Sequence, residues 1–329
     1  MSKRLKQLLK LVLSIGLSAF LLNLVFKDVD WDEFWGKAEA LNYAWIVVSV
    51  LLSVIAYFAR AFRWNIMLKP LGYDLKTSRT TLAVLVGYLA NLAIPRLGEV
   101  VRCSVLYRND KVPVPIAFGT VFVDRFVDLI FLFLLMGLSF LAEAERLTEF
   151  LSTAYQDLNV PSWVIWAGLF LMIAGIIVLV LFIKNQHRLK GKFAELIKGF
   201  VSGIVSLKDI QNPVGFFVST LVIWVVYFLM SYVIVFSLPE TAHLGLGAGL
   251  MLLITGGIAL SLPVQSGFGT YHGMVAGMLL LYGVDHNTGI FLATVLHTSQ
   301  IVTIALFGTI ALIISFLIRR KNNDDSVTA

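Results

Sequence analysis

Charge is scarce in this chain: Asp, Glu, Lys and Arg supply 14% of its 329 residues, whereas 58% are hydrophobic. An average soluble domain carries roughly 25% charged residues, so the composition argues against a water-soluble fold. The single cysteine, Cys103, excludes an internal disulfide and any multi-cysteine metal or iron–sulfur site, which argues against redox chemistry. No metal or cofactor is expected. A Gly-x4-Gly-Lys-Ser/Thr phosphate loop is missing from the sequence, so ATP drive would have to come from elsewhere. Gly267-Phe-Gly269 lacks the strand–turn–helix setting of a dinucleotide fingerprint. The formal charge of +6 comes with no nucleic-acid-binding motif, and basic residues in the loops of a membrane protein account for it.

Apolar runs, by contrast, are abundant. A bilayer-crossing helix needs about 20 apolar residues. Six such stretches are read as spans, at about Leu8–Phe26, Tyr43–Leu68, Ile116–Leu141, Ser162–Ile183, Val214–Leu238 and Thr288–Ile318. The first follows Lys3, Arg4, Lys6 and Lys10 but is too long for a signal peptide and shows no small-residue cleavage pattern, so it is expected to remain as an anchor. Two further stretches, Thr81–Tyr107 and Leu246–Tyr282, are interrupted by Pro95 and by Pro263, Gly267 and Gly269. From Thr81 to Ile94 a helix would reach roughly 21 Å, short of the roughly 30 Å hydrocarbon core, which favours re-entrant hairpins.

Charge asymmetry favours the same reading. With both stretches as hairpins, Lys27, Lys37 and Arg146 lie outside, Arg96, Arg102 and Arg125 lie within apolar sequence, and the other 20 of the 26 Lys and Arg residues fall on the amino-terminal side. The positive-inside tendency makes that side cytoplasmic, with both termini there, as in a bacterial inner-membrane protein. The fold expected is thus all-α: a polytopic helix bundle of six full spans and two Pro/Gly-broken hairpins, forming one domain over residues 1–329. Its halves, about 79–142 and 246–318, repeat a hairpin, polar junction and long span in opposite orientation, an inverted repeat that points to a binding site where the halves meet. Residues 187–209 read as a cytoplasmic amphipathic helix on the membrane surface.

The densest chemistry lies in Asn91-Leu-Ala-Ile-Pro95-Arg96-Leu-Gly98-Glu99-Val-Val-Arg102 and in Asp124-Arg125-Phe-Val-Asp128. Arg96, Glu99 and Arg102, at three-residue steps, share a helix face. A charge at bilayer depth costs at least about 2.5–3.5 kcal/mol, so each needs a partner or a wet cavity. Two readings follow. Arg125 with Asp124 or Asp128, and Glu99 with Arg96 or Arg102, could staple the hairpin to the next span. Alternatively Arg96, Arg102 and Arg125 fork onto lipid phosphate, with Glu99, Asp124, Asp128 and His297 orienting them or relaying charge. Gln265, Ser266 and His272 would then form the facing wall, and Pro95, Gly98, Pro263, Gly267 and Gly269 would break the helices, freeing backbone N–H groups. Arg60 and Arg63, one turn apart near the end of their span, are expected to snorkel to lipid phosphates.

Pro95-Arg-Leu-Gly-Glu-Val-Val-Arg102, Val123-Asp-Arg-Phe-Val-Asp-Leu129 and Leu262-Pro-Val-Gln-Ser-Gly-Phe-Gly269 resemble the signatures of the lysylphosphatidylglycerol synthase transmembrane-region family, also called flippase-like domain proteins. The family usually has Glu-Arg at Asp124-Arg125, and often an Arg-Glu pair at Tyr271-His272. The resemblance implies translocation of a lipid, and two-part members append a soluble aminoacyltransferase domain. Nine residues after Arg320 leave no room for one, so synthase activity is not expected of this polypeptide. The function expected is movement of an anionic or aminoacylated phospholipid, or a lipid-linked group, between leaflets, with a separate lipid-modifying enzyme as a partner. The alternatives are a membrane-embedded lipid transferase using Glu99 or Asp124 as base, and a scaffold for a partner enzyme.

Overall fold

The computed structural model describes residues 16–146, 210–262 and 264–327, with side chains to residue 318. The proposed span Ser162–Ile183, the surface helix at 187–209, the beginning of the first apolar stretch and Pro263 lie outside the described residues. Within them the chain is helical and has no strand. The helices are α1 (Gly16–Phe26), α2 (Trp31–Glu39), α3 (Tyr43–Leu68), α4 (Thr77–Ala93), α5 (Gly98–Asp110), α6 (Val114–Ala142), α7 (Pro213–Val233), α8 (Leu246–Ser261), α9 (Thr270–Leu280) and α10 (His286–Val327). Three segments, Tyr43–Leu71, Pro213–Ser237 and His286–Ile318, are long and apolar enough to cross a membrane. Helix α6 is as long, but carries Asp124, Arg125 and Asp128 near its middle.

Helices α4 and α5 form the first hairpin and α8 and α9 the second, as the prolines and glycines suggest. The approach of α4 to α5 is set by Gly87 and Gly98: a Cβ on Gly98 would run into the Gly87 carbonyl oxygen. Gly98 is therefore not a break. It is the first residue of α5, its N–H donates to Asn91 Oδ1 at 2.6 Å, and its missing side chain lets the two backbones touch. The break itself is the Ile94–Leu97 stretch, where Arg96 takes a left-handed φ of 64°. In the second hairpin, Ser266 (φ 48°), Gly267 (φ 75°) and Gly269 (φ 81°) turn the chain. Left-handed backbone costs a residue with a Cβ roughly 1–2 kcal/mol, so Arg96 and Ser266 are held there by what surrounds them.

Both long helices run past both hairpins. The first half of α10 packs on α9, Gly289 against Ala276, and its second half packs on α4 and α5, where Ala311, Leu85 and Val86 share a core and Asn109 Nδ2 donates to Ser315 Oγ at 2.8 Å. In α6 the order is reversed: Ala117, Val121 and Val123 share a core with Cys103 and Leu106 of α5, whereas further along Leu132 packs beside Gly257 of α8, and Ser139 Oγ donates to Met251 Sδ at 3.0 Å. The two hairpins consequently stand end to end between two antiparallel helices. At the open end of the second hairpin, Glu33 and Glu240 hold Lys37, Asn287 Nδ2 donates to Glu33 Oε2, and the Arg146 guanidinium covers the Tyr282 ring. All of these belong to segments that the charge distribution assigned to one side.

Candidate functional site

The hairpin tips meet through reciprocal capping. The last carbonyls of a helix have no partner within it. Gln265 Nε2 donates to the Leu92 and Ala93 carbonyls at the end of α4, at 2.8 and 2.9 Å, and Ser266 Oγ adds a bond to Leu92 O at 3.3 Å. In the other direction, Arg96 Nη2 donates to Ser261 O, the end of α8, at 3.0 Å. A cation there also suits the negative end of the helix dipole. Each tip thus closes the other's first helix. The second tip is further held by Ser18 of α1, whose hydroxyl accepts from the Gln265 N–H at 3.0 Å, and by His297 Nε2, 2.8 Å from Ser266 O. His272 and His297 stack edge-on, with ring centroids 5.1 Å apart, in an aromatic nest with Phe26, Phe268 and Tyr271.

The charged constellation is larger than the two motifs. Arg60 and Arg63 are 2% and 0% exposed, so they do not snorkel: they reach inward to α6. Arg63 Nε and Nη2 donate to Asp124 Oδ1 at 3.0 and 2.6 Å, and Nη2 also reaches Asp128 Oδ1 at 2.6 Å. Arg60 bridges the other oxygens, Nη1 to Asp124 Oδ2 at 3.2 Å and Nη2 to Asp128 Oδ2 at 2.6 Å. Such forked, charge-assisted bonds are the strong kind. Arg102 stands 3.5 Å from Asp124 Oδ2, with its guanidinium 4.8 Å from the centre of the Trp64 ring. Glu99 pairs with Arg125 at 3.2 Å, not with Arg96 or Arg102, and Arg125 also approaches Asp128 at 3.7 Å.

Arg60 and Arg63 had a signature in the sequence: they share an α3 face with Ser49, Ser53 and Ala56, all buried. Small polar residues on one side of a membrane helix mark its protein-facing side. Four guanidiniums, Arg60, Arg63, Arg102 and Arg125, therefore surround three carboxylates, and the cluster is formally one charge positive. Arg96 stays apart at the tips.

Beside this cluster lies a cavity of about 430 Å³ between α3, α6, α7, α8 and α10. Arg60, Arg125 and Asp128 are its charged lining residues, Gln300, Ser231 and Ser261 add polar groups, and the rest of the wall is aromatic and aliphatic. The Arg125 side chain is 40% exposed, against 0% for Arg63. Of the residues singled out by sequence, then, Arg125 and Asp128 line the cavity, while Arg102, Glu99 and Asp124 support it from behind. Gln265, Ser266 and Arg96 close the tips, and His272 and His297 pack behind Tyr271. No cluster of His, Cys, Asp and Glu among the described residues could hold a metal ion.

A family model for the lysylphosphatidylglycerol synthase transmembrane region matches residues 7–308, taking in both hairpins, the arginine cluster and the cavity. The chain belongs to this family. Two curated relatives are similar over shorter segments. A UPF0104 membrane protein of Methanocaldococcus jannaschii is 31% identical over 96 residues, 28% of this chain and 29% of the relative. The glycosyltransferase AglD of Haloferax volcanii is 26% identical over 128 residues, 39% of this chain and 20% of the relative. The matched segments thus span less than a third of either relative's length. No solved structure matches. The chain is accordingly a membrane protein of this family, and its candidate site is the cavity flanked by the arginine cluster where the two hairpins meet.

Proposed function

We propose that the protein moves a phosphate-bearing lipid, or a lipid-linked group, between leaflets, with Arg125 and Arg60 receiving the phosphate. The observation that carries this reading is a cavity at the middle of the helices whose charged wall has more guanidinium than carboxylate. Membrane depth makes an unused positive charge costly, so a site that keeps one suits an anion that arrives and leaves. The tips, capped by hydrogen bonds alone, are the barrier such a substrate would have to pass. Family membership agrees with a lipid-borne substrate. In this reading the open end of the first hairpin faces the cytoplasm, where the basic loops lie, and the membrane is a bacterial inner membrane.

Leaflet exchange tests the proposal: purified protein in liposomes containing labelled phosphatidylglycerol should accelerate exchange, and Arg125→Ala should abolish the acceleration while folding normally. A wild type that exchanges none of a panel of anionic and aminoacylated lipids would refute it. If the lipid instead emerges chemically altered, the protein is a transferase.

A further inference from the structure

We infer that the cavity selects an anionic lipid whose headgroup bears hydroxyls and no amine, and that it rejects the aminoacylated lipid suggested by the family's name. This rests on the transport reading above and narrows its substrate.

An ammonium headgroup needs a carboxylate or an aromatic face free to take it. Asp128 is the one acidic residue in the cavity wall, and both its oxygens are occupied: Oδ1 by Arg63, Oδ2 by Arg60 and Arg125. Asp124 is fully buried and engaged by Arg60, Arg63 and Arg102. Glu99, paired with Arg125, stands outside the cavity wall, and its second oxygen is buried. Among the described residues every carboxylate near the cavity is thus paired with a guanidinium, and the surplus positive charge would meet a second positive charge.

Among the cavity's lining residues the side-chain groups left unpartnered are donors, and the unpartnered Glu99 Oε2 is buried outside the wall. Arg60 Nε, Arg125 Nε and Trp224 Nε1 are buried without a hydrogen-bond partner, and all three residues line the cavity. Phosphate and hydroxyl oxygens could accept from these buried donors, whereas an ammonium, which has no acceptor, could not. The rings in the wall are already engaged: the Arg60 guanidinium lies over Tyr227, Tyr271 stacks on His297, Trp224 stacks on Phe131, and Tyr57 tilts against Tyr88. Phenol hydroxyls both donate and accept, which suits a hydroxylated headgroup such as glycerol or a sugar.

The test uses the full chain in nanodiscs of phosphatidylcholine, titrated with phosphatidylglycerol, its lysyl ester or a polyprenyl-phosphate hexose, with the rise in unfolding temperature as the binding signal. At least one amine-free anionic lipid should bind about tenfold or more tightly than the lysyl ester, and Trp224→Phe should weaken it without improving the lysyl ester. A tenfold ratio corresponds to about 1.4 kcal/mol. Whichever of the two amine-free lipids binds tighter identifies glycerol or sugar as the headgroup. Equal or tighter binding of the lysyl ester, or no discrimination among the lipids, would overturn the inference. Leaflet exchange of the same lipids separates the two claims: exchange of the lysyl ester as fast as of phosphatidylglycerol defeats the selectivity alone, whereas binding in the expected order without exchange of any lipid defeats transport alone.

Discussion

The two hairpins are built alike and supported differently. Behind the first stands α6 with Asp124, Arg125 and Asp128, tied into a network of ion pairs with α3 and α5. Behind the second, α10 offers His297, Ser299 and Gln300 at the corresponding place, and His297 makes a single bond to a carbonyl. One half therefore concentrates the electrostatics and the other supplies neutral capping. On the proposed function a substrate phosphate would be held from the first half, and the second half would contribute the part of the barrier that lets go at small cost.

Removing charge should hurt the first half most. Asp124→Ala leaves Arg60, Arg63 and Arg102 facing one another in a buried site, and breaking a buried ion pair costs about 3–5 kcal/mol. His297→Ala loses one neutral bond, worth about 0.5–1.5 kcal/mol, together with its ring contacts to Phe268, Tyr271 and His272, and leaves no charge unpaired. Thermal unfolding of both variants in one detergent should therefore rank Asp124→Ala far below His297→Ala, and equal losses would erase the distinction between the halves.

Hairpin closure gives a second contrast. In Gly98→Ala the new methyl meets the Gly87 carbonyl, backbone that cannot step aside, and overpacking of this kind costs about 1–3 kcal/mol. In Gly256→Ala it meets the edge of the Tyr271 ring at 2.9 Å, a side chain rather than backbone, so the loss should be smaller. Melting temperatures decide the order. Smaller still, Arg96→Ala and Gln265→Ala should each cost about 0.5–1.5 kcal/mol. Because the two caps close one junction, the double variant should depart from additivity by at least about 0.5 kcal/mol.

The arrangement was legible in the sequence wherever backbone chemistry dictated it. Pro95 and the Gly267 to Gly269 stretch announced the breaks, and helix length against bilayer thickness turned the broken stretches into hairpins. Partners across the fold were not legible. Arg60 and Arg63 read as snorkelling because the sequence places them near a helix end, and their true partners are more than 60 positions away. Gln265 and Ser266 read as headgroup ligands because polar residues at a break have free donors. That those donors would serve the carbonyls of α4 depends on the tips meeting, which no local pattern encodes.

The smallest expected effect lies at the exposed end of the second hairpin. Glu240 is held below its ordinary 4.5 by its backbone hydrogen bond and by Lys37, outweighing its burial. Burial works to lower Lys37, yet Glu33 and Glu240 outweigh it and raise Lys37 above 10.5. A depressed carboxylate stabilises above its unfolded value and loses that contribution as pH falls, whereas a raised lysine stabilises below its unfolded value and loses it as pH rises. The contact between α2 and the second hairpin should therefore hold between about pH 4.5 and 10.5 and loosen beyond either limit. Hydrogen exchange across residues 31–39 measures it.

The central claim, that two hairpins enter from opposite ends and meet tip to tip within the membrane, is tested most directly by spin labels at Arg96→Cys and Ser261→Cys in a Cys103→Ser background, in nanodiscs. Strong dipolar broadening, with both labels accessible to oxygen and shielded from a water-soluble relaxant, is the result expected. Labels without mutual broadening, exposed to the aqueous relaxant on opposite faces of a hydrocarbon core about 30 Å thick, would contradict it.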